Sequence, residues 1–120
     1  MKNQSFARRM GFALAGLTAA FRNEASLRFH TVAAAGVVAV LLWLRPSPGW
    51  WAALLLTAAL VIAAELFNTA LEALADHLHP AEHPNIKAAK DYAAAAVLIA
   101  SAGALAVAAA FVYDVLRERL

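Results

Sequence analysis

The sequence predicts an all-α integral membrane protein, with three transmembrane helices and an N-terminal amphipathic surface helix. Three observations carry this expectation. Hydrophobic residues make up 63% of the 120-residue chain and charged residues only 15%, against roughly 45–50% and 25% in soluble domains. A soluble chain this short cannot hide that much apolar surface from water. Long apolar runs recur along it, and the breaks between them are polar and rich in proline. The length predicts one domain over residues 1–120.

Residues 5–28 read as the surface helix. Phe6, Met10, Ala13, Leu14 and Leu17 recur at helical spacing, with Gln4, Arg8 and Arg9 off that stripe. A basic amphipathic helix of this kind suits a membrane surface. The arginines at 8, 9 and 22 interrupt any apolar core of a signal peptide. The first span is expected over residues 29–44, ended by Arg45-Pro46-Ser47-Pro48-Gly49, where two prolines and a glycine predict a turn. The second span is expected over residues 50–76. It opens on Trp50-Trp51, a pair suited to the headgroup level. Apolar to Ala64, it then continues through Glu65, Asn68, Glu72 and Asp76 and stops at His79-Pro80. Residues 79–86 read as a polar loop. The third span follows over about 88–116, rich in alanine and carrying Gly103, a composition that favours close helix packing in lipid.

Lys and Arg placement sets the expected topology. Lys2, Arg8, Arg9, Arg22, Arg28, Lys87 and Lys90 fall on one side, and Arg45, Arg117 and Arg119 on the other. The positive-inside rule then places the N-terminus in the cytoplasm and the C-terminus outside. The net charge of +2 is spread along the chain and gives no argument for nucleic acid. With no cysteine, neither disulfides nor a thiol nucleophile is available. There is no Walker loop and no Rossmann fingerprint.

Chemistry concentrates on the second span. On a helical wheel with Glu65 at zero, Asn68 falls near 300°, Glu72 near 340° and Asp76 near 20°, an arc of roughly 80°. Glu65 lies about 22 Å along the helix from Trp50, near the far edge of a ~30 Å hydrocarbon layer. An acid on the membrane side of that edge is costly and is a functional hypothesis by default. Clustered carboxylates call for a compensating cation: Arg, Lys or a divalent metal such as Mg²⁺. Lys90-Asp91 opens the third helix at the same level, and such a lysine can meet a phosphate. Taken alone, Glu24 reads as a surface charge and His30 as an interfacial residue. His77 and His79 do not share a helix face, and Pro80 separates His79 from His83, which argues against a zinc site.

The stretch Glu65-Leu-Phe-Asn68-Thr69-Ala70-Leu-Glu72-Ala-Leu-Ala-Asp76 resembles the E-x-x-N-[ST]-A-x-E-x-x-x-D signature of the prokaryotic diacylglycerol kinase family. That family also contains the undecaprenol kinases of Gram-positive bacteria. Lys87-Ala-Ala-Lys90-Asp91-Tyr-Ala-Ala-Ala-Ala-Val97-Leu98 resembles its second signature, and Gly16 and Asn23-Glu24-Ala-Ser-Leu-Arg28 resemble its N-terminal segment. The resemblance runs through nearly the whole chain. It implies a homotrimer with active sites shared between subunits, in the bacterial inner membrane. It implies transfer of the ATP γ-phosphate to a lipid hydroxyl. Carried over by position, Glu65 would be the general base, and Glu24 and Glu72 would hold Mg²⁺ at the ATP phosphates. Phe12, Glu24, Glu72, Glu82, His83, Lys90 and Asp91 would bind ATP. Asn68 would orient the site and Asp76 would support it.

Three features depart from the diacylglycerol kinase pattern. Ala15 stands where a lysine often precedes Gly16, Ser5 where an arginine is expected, and His83-Pro84 is closer to the undecaprenol kinase type. Diacylglycerol is the first expectation for the lipid and undecaprenol the second. A small membrane transporter with Glu65 as the coupling acid, and a membrane subunit whose polar face binds a partner helix, are the readings of other classes. Transport acids usually sit near the bilayer midplane, whereas these acids climb out of it.

Overall fold

The computed structural model describes residues 3–119, and they fold into four helices. These are α1 (Phe6–Asn23), α2 (Ala25–Leu44), α3 (Pro48–Leu78) and α4 (Pro84–Arg119). Helices α2, α3 and α4 are each long and apolar enough to cross a membrane. Lys2, one of the seven cations counted on the N-terminal side, lies outside the described residues.

The expected surface helix over 5–28 is corrected at its C-terminal end. Ser5 caps α1 by accepting from the Arg8 N–H at 3.3 Å. The helix then stops at Asn23, because Glu24 takes an extended conformation (φ −118°, ψ 109°). Residues 25–28 belong to the first span. The physical reason is Arg28, whose guanidinium donates to the carbonyl oxygens of Phe21 (3.0 Å) and Arg22 (2.8 Å). It satisfies acceptors that the end of α1 leaves open and holds the bend. The first span therefore has 20 residues, about 30 Å of helix, and matches the hydrocarbon thickness.

Both connections are shorter than the sequence suggests, because proline opens a helix as readily as it ends one. Arg45, which precedes Pro46, leaves α2 in the left-handed region (φ 48°, ψ 59°), and its N–H still donates to the Leu41 carbonyl at 2.8 Å. The residue before a proline is disfavoured in the right-handed helical region. Pro48 then starts α3, which takes in Gly49 and runs to Leu78, beyond the expected 50–76. Pro84 starts α4 in the same way, four residues before the expected 88. His83 caps it, its Nδ1 accepting the Asn85 N–H at 3.1 Å.

Helix α3 is central. It packs against α1, α2 and α4, while α2 and α4 flank it with no close backbone approach to each other. At the Trp50 end the core is Leu41, Leu54 and Phe111, with Leu41 wholly buried. Trp50 meets Phe111 edge to face at 5.3 Å and donates its Nε1–H to Asp114 at 3.0 Å. That bond ties α3 to α4 where an amphipathic aromatic belongs, at a membrane boundary. Many large apolar side chains remain exposed, among them Leu60, Phe67 and Leu74 on α3. Lipid tails or other membrane helices cover such a surface.

Candidate active site

Helix α3 carries the site because it outruns α2. Ser26, in the first turn of α2, meets Glu65. That contact sets Glu65 level with the first turn of α2. Thirteen further residues of α3, from Leu66 to Leu78, extend about 20 Å past that level. Helix α4 begins beside them, so its first turns run alongside.

Glu65 is the only charged residue buried among the described residues, at 6% exposure. A buried carboxylate needs partners, and α2 supplies them. Ser26 Oγ donates to Glu65 Oε1 at 2.6 Å, and His30 Nε2 lies 3.3 Å from the same oxygen. Ser26 and His30 are four residues apart and therefore share one helix face. Sequence reading missed both as site residues. Their i, i+4 spacing, beginning two residues after Glu24, was the available signal.

One turn along α3, Asn68 Nδ2 donates to Glu72 Oε1 at 3.2 Å. The Asn68 Oδ1 atom is buried and has no hydrogen-bond partner. Further out, Lys90 Nζ from α4 meets Asp76 Oδ1 at 2.5 Å. The expected compensating cation for the acidic face is thus a lysine of α4 at its outer end. Lys87 pairs with Asp91 at 2.7 Å across one turn of α4. Among the described residues, neither Glu24 nor Glu72 takes part in an ion pair.

Glu24 reaches this region from the break between α1 and α2. It lines a groove of about 620 Å³ between α1 and α3, with Gly16, Asn23, Leu66, Thr69 and Ala73. Glu72 is not part of that lining. No group of three or more acids or histidines is gathered to hold a metal among the described residues. Phe12 is exposed on α1. Glu82 and His83 lie in the α3–α4 connection, where His83 stacks edge to face with His79 at 5.5 Å. The arrangement is therefore graded: a buried acid level with the start of α2, then an amide–carboxylate pair, then an ion pair with α4.

A family model for prokaryotic diacylglycerol kinase matches residues 11–112. A diacylglycerol kinase of Pseudomonas aeruginosa is 37% identical over 90 residues, covering 75% of this chain and 73% of its own length. One from Escherichia coli is 37% identical over 90 residues, with 75% and 74% covered. A diacylglycerol kinase of Synechocystis is 38% identical over 97 residues, which cover 80% of this chain and 55% of that relative. The match takes in α2 and α3 whole, most of α1, and α4 as far as Val112. On this evidence the chain belongs to the prokaryotic diacylglycerol kinase family.

Proposed function

We propose that this protein transfers the γ-phosphate of ATP to the free hydroxyl of diacylglycerol, giving phosphatidic acid and ADP. A member of this family is a lipid kinase, and this one has three helices able to span a membrane. The observation that carries the proposal is Glu65, a buried acid at the depth where a lipid headgroup hydroxyl arrives. Glu65 is the general base. Ser26 and His30 both engage Oε1, which leaves Oε2 to take the lipid proton. As that proton moves to Glu65, the lipid oxygen attacks the γ-phosphorus and the bond to ADP breaks. Phosphoryl transfer depends on positioning and charge neutralisation more than on covalent chemistry.

Glu24 and Glu72 are the proposed Mg²⁺ ligands. Their chemistry fits a hard cation that prefers oxygen, and the unpartnered Asn68 Oδ1 beside Glu72 is a further oxygen of the same kind. When bound, the ion neutralises charge on the ATP phosphates. Asn68 orients Glu72 through its hydrogen bond. Lys90 and Asp91 contact the nucleotide, and Asp76 supports Lys90. Phe12, Glu82 and His83 complete the nucleotide side.

The chain works as one domain in the bacterial inner membrane, with the N-terminus and site cytoplasmic and the C-terminus outside. Three copies assemble with shared sites. On α3 the exposed Leu60, Phe67 and Leu74 recur every seven residues, opposite Glu65, a spacing that suits a helix–helix seam between copies. Undecaprenol phosphorylation and transport are not favoured, since the relatives carry the diacylglycerol kinase name. The test is phosphate transfer by the purified protein in vesicles, with ATP and Mg²⁺, to diacylglycerol and to undecaprenol. Diacylglycerol is the expected acceptor. Transfer to neither lipid would sink the proposal.

A further inference from the structure

We infer that Ser26 and His30 are positioning residues for Glu65, so that the first turns of α2 belong to the catalytic machinery. The inference rests on the reading of Glu65 as the base. Glutamate has three side-chain torsions, and an unheld carboxylate spreads over several rotamers. General base catalysis needs the accepting oxygen within hydrogen-bond reach of the proton it removes. Here one helix brings a hydroxyl donor and an imidazole to a single carboxylate oxygen. Ser26 Oγ–H donates to Oε1 at 2.6 Å, and the His30 imidazole sets its Nε2 beside the same atom at 3.3 Å, within ion-pair reach. Oε2 is left in one orientation for the substrate.

Packing does not account for Ser26. Ser26 is exposed as a residue and buries almost nothing apolar, yet its hydroxyl is spent on the one buried acid. His30 has a second contact. It forms the polar end of an apolar cleft of about 400 Å³ between α2 and α4, lined also by Ala33, Ala34, Thr57, Ala58 and Ser101. It therefore stands between the carboxylate and the hydrocarbon side of the protein. Phe29 meets the His30 ring edge to face at 5.4 Å. The positive end of the α2 dipole also faces this level and favours the negative charge that Ser26 and His30 hold. The break at Glu24 sets where α2 starts, and so sets the height at which both side chains meet Glu65.

The test uses the full chain in vesicles with the lipid that the wild type phosphorylates. Ser26→Ala and His30→Leu are each expected to lower kcat about 10-fold, the scale of one hydrogen bond to a charged group. KM for ATP and for lipid should stay within about twofold, because neither residue holds either substrate. Ser26→Thr and His30→Gln keep a donor and should recover kcat to within about threefold of wild type. A structural role would not give that recovery together with unchanged KM. Should the leucine variant fail to fold, the Ser26→Ala and Ser26→Thr pair decides alone. Ser26→Ala and His30→Leu with kcat within twofold of wild type would overturn the inference, as would a loss confined to KM or no recovery in the conservative variants. The kinase reading fails separately, if the wild type phosphorylates no lipid, and the base reading fails if Glu65→Gln stays active.

Discussion

Replacing Asn68 by leucine separates stability from function at this site. The side chain has one atom that costs the fold and one that serves it. Its buried Oδ1 has no partner, and leaving such an acceptor unmade costs about 1–3 kcal/mol. Its Nδ2 donates to Glu72 at 3.2 Å. Glu72 is exposed, so that bond contributes at most about 0.5–1.5 kcal/mol. Leucine keeps the branching and similar length, removes the orphaned acceptor and removes the bond. The two effects oppose each other, and the net change runs from about 0.5 kcal/mol against the variant to about 2.5 kcal/mol in its favour. Activity moves the other way. In the proposed site Glu72 loses the group that orients it, and misplacement by about 1 Å can cost about 100-fold. The assay is denaturant unfolding in mixed micelles, paired with lipid phosphorylation rates. A stability loss above about 2 kcal/mol would show that Asn68 serves the fold. A kcat/KM within threefold of wild type would refute its orienting role.

Lys90→Gln is expected to raise KM for ATP about 10-fold while KM for lipid stays within twofold, since the proposed role of the lost charge is at the ATP phosphates; an unchanged KM for ATP would remove Lys90 from the proposed nucleotide site. Glu72→Gln should raise the Mg²⁺ concentration for half-maximal rate by about 10-fold or more, because an amide is a weaker ligand than a carboxylate; a Mg²⁺ titration that superimposes on wild type contradicts this. At the other end, Trp50→Phe combined with Asp114→Ala in a double-mutant cycle should give a coupling of about 0.6 kcal/mol, with a ceiling near 1.7. The rate should stay within twofold of wild type, because Trp50 lies about 22 Å from Glu65 along α3. A large fall in rate there would show that the two ends of the bundle are coupled.

The helices and the polar face of α3 were legible in the sequence, because hydropathy and helical period report on lipid and on one helix at a time. Glu65, Asn68, Glu72 and Asp76 are one such pattern. The bend at Glu24 was not legible. No proline or glycine marks it, and it depends on Arg28 reaching back to Phe21 and Arg22, a contact across the break. The prolines at 48 and 84 misled in the opposite sense, since proline at N1 starts a helix that its ring would otherwise interrupt. Ser26 and His30 were missed because their role exists only between helices. An i, i+4 pair on an apolar helix names a face, and only the fold names what that face meets. The Lys90–Asp76 pair is of the same kind: both residues stood out, and their pairing across 14 positions did not.

Glu65→Gln tests the central claim most directly. Glutamine preserves the shape and can still accept from Ser26 at its amide oxygen, but it takes no proton at physiological pH. Steady-state turnover on the lipid substrate, measured beside equilibrium ATP binding on the same preparation, is the measurement. The account predicts that turnover falls at least about 1,000-fold, within the range expected of a general base, while ATP affinity stays within threefold of wild type. Turnover near the wild-type rate, with ATP still bound, would contradict it.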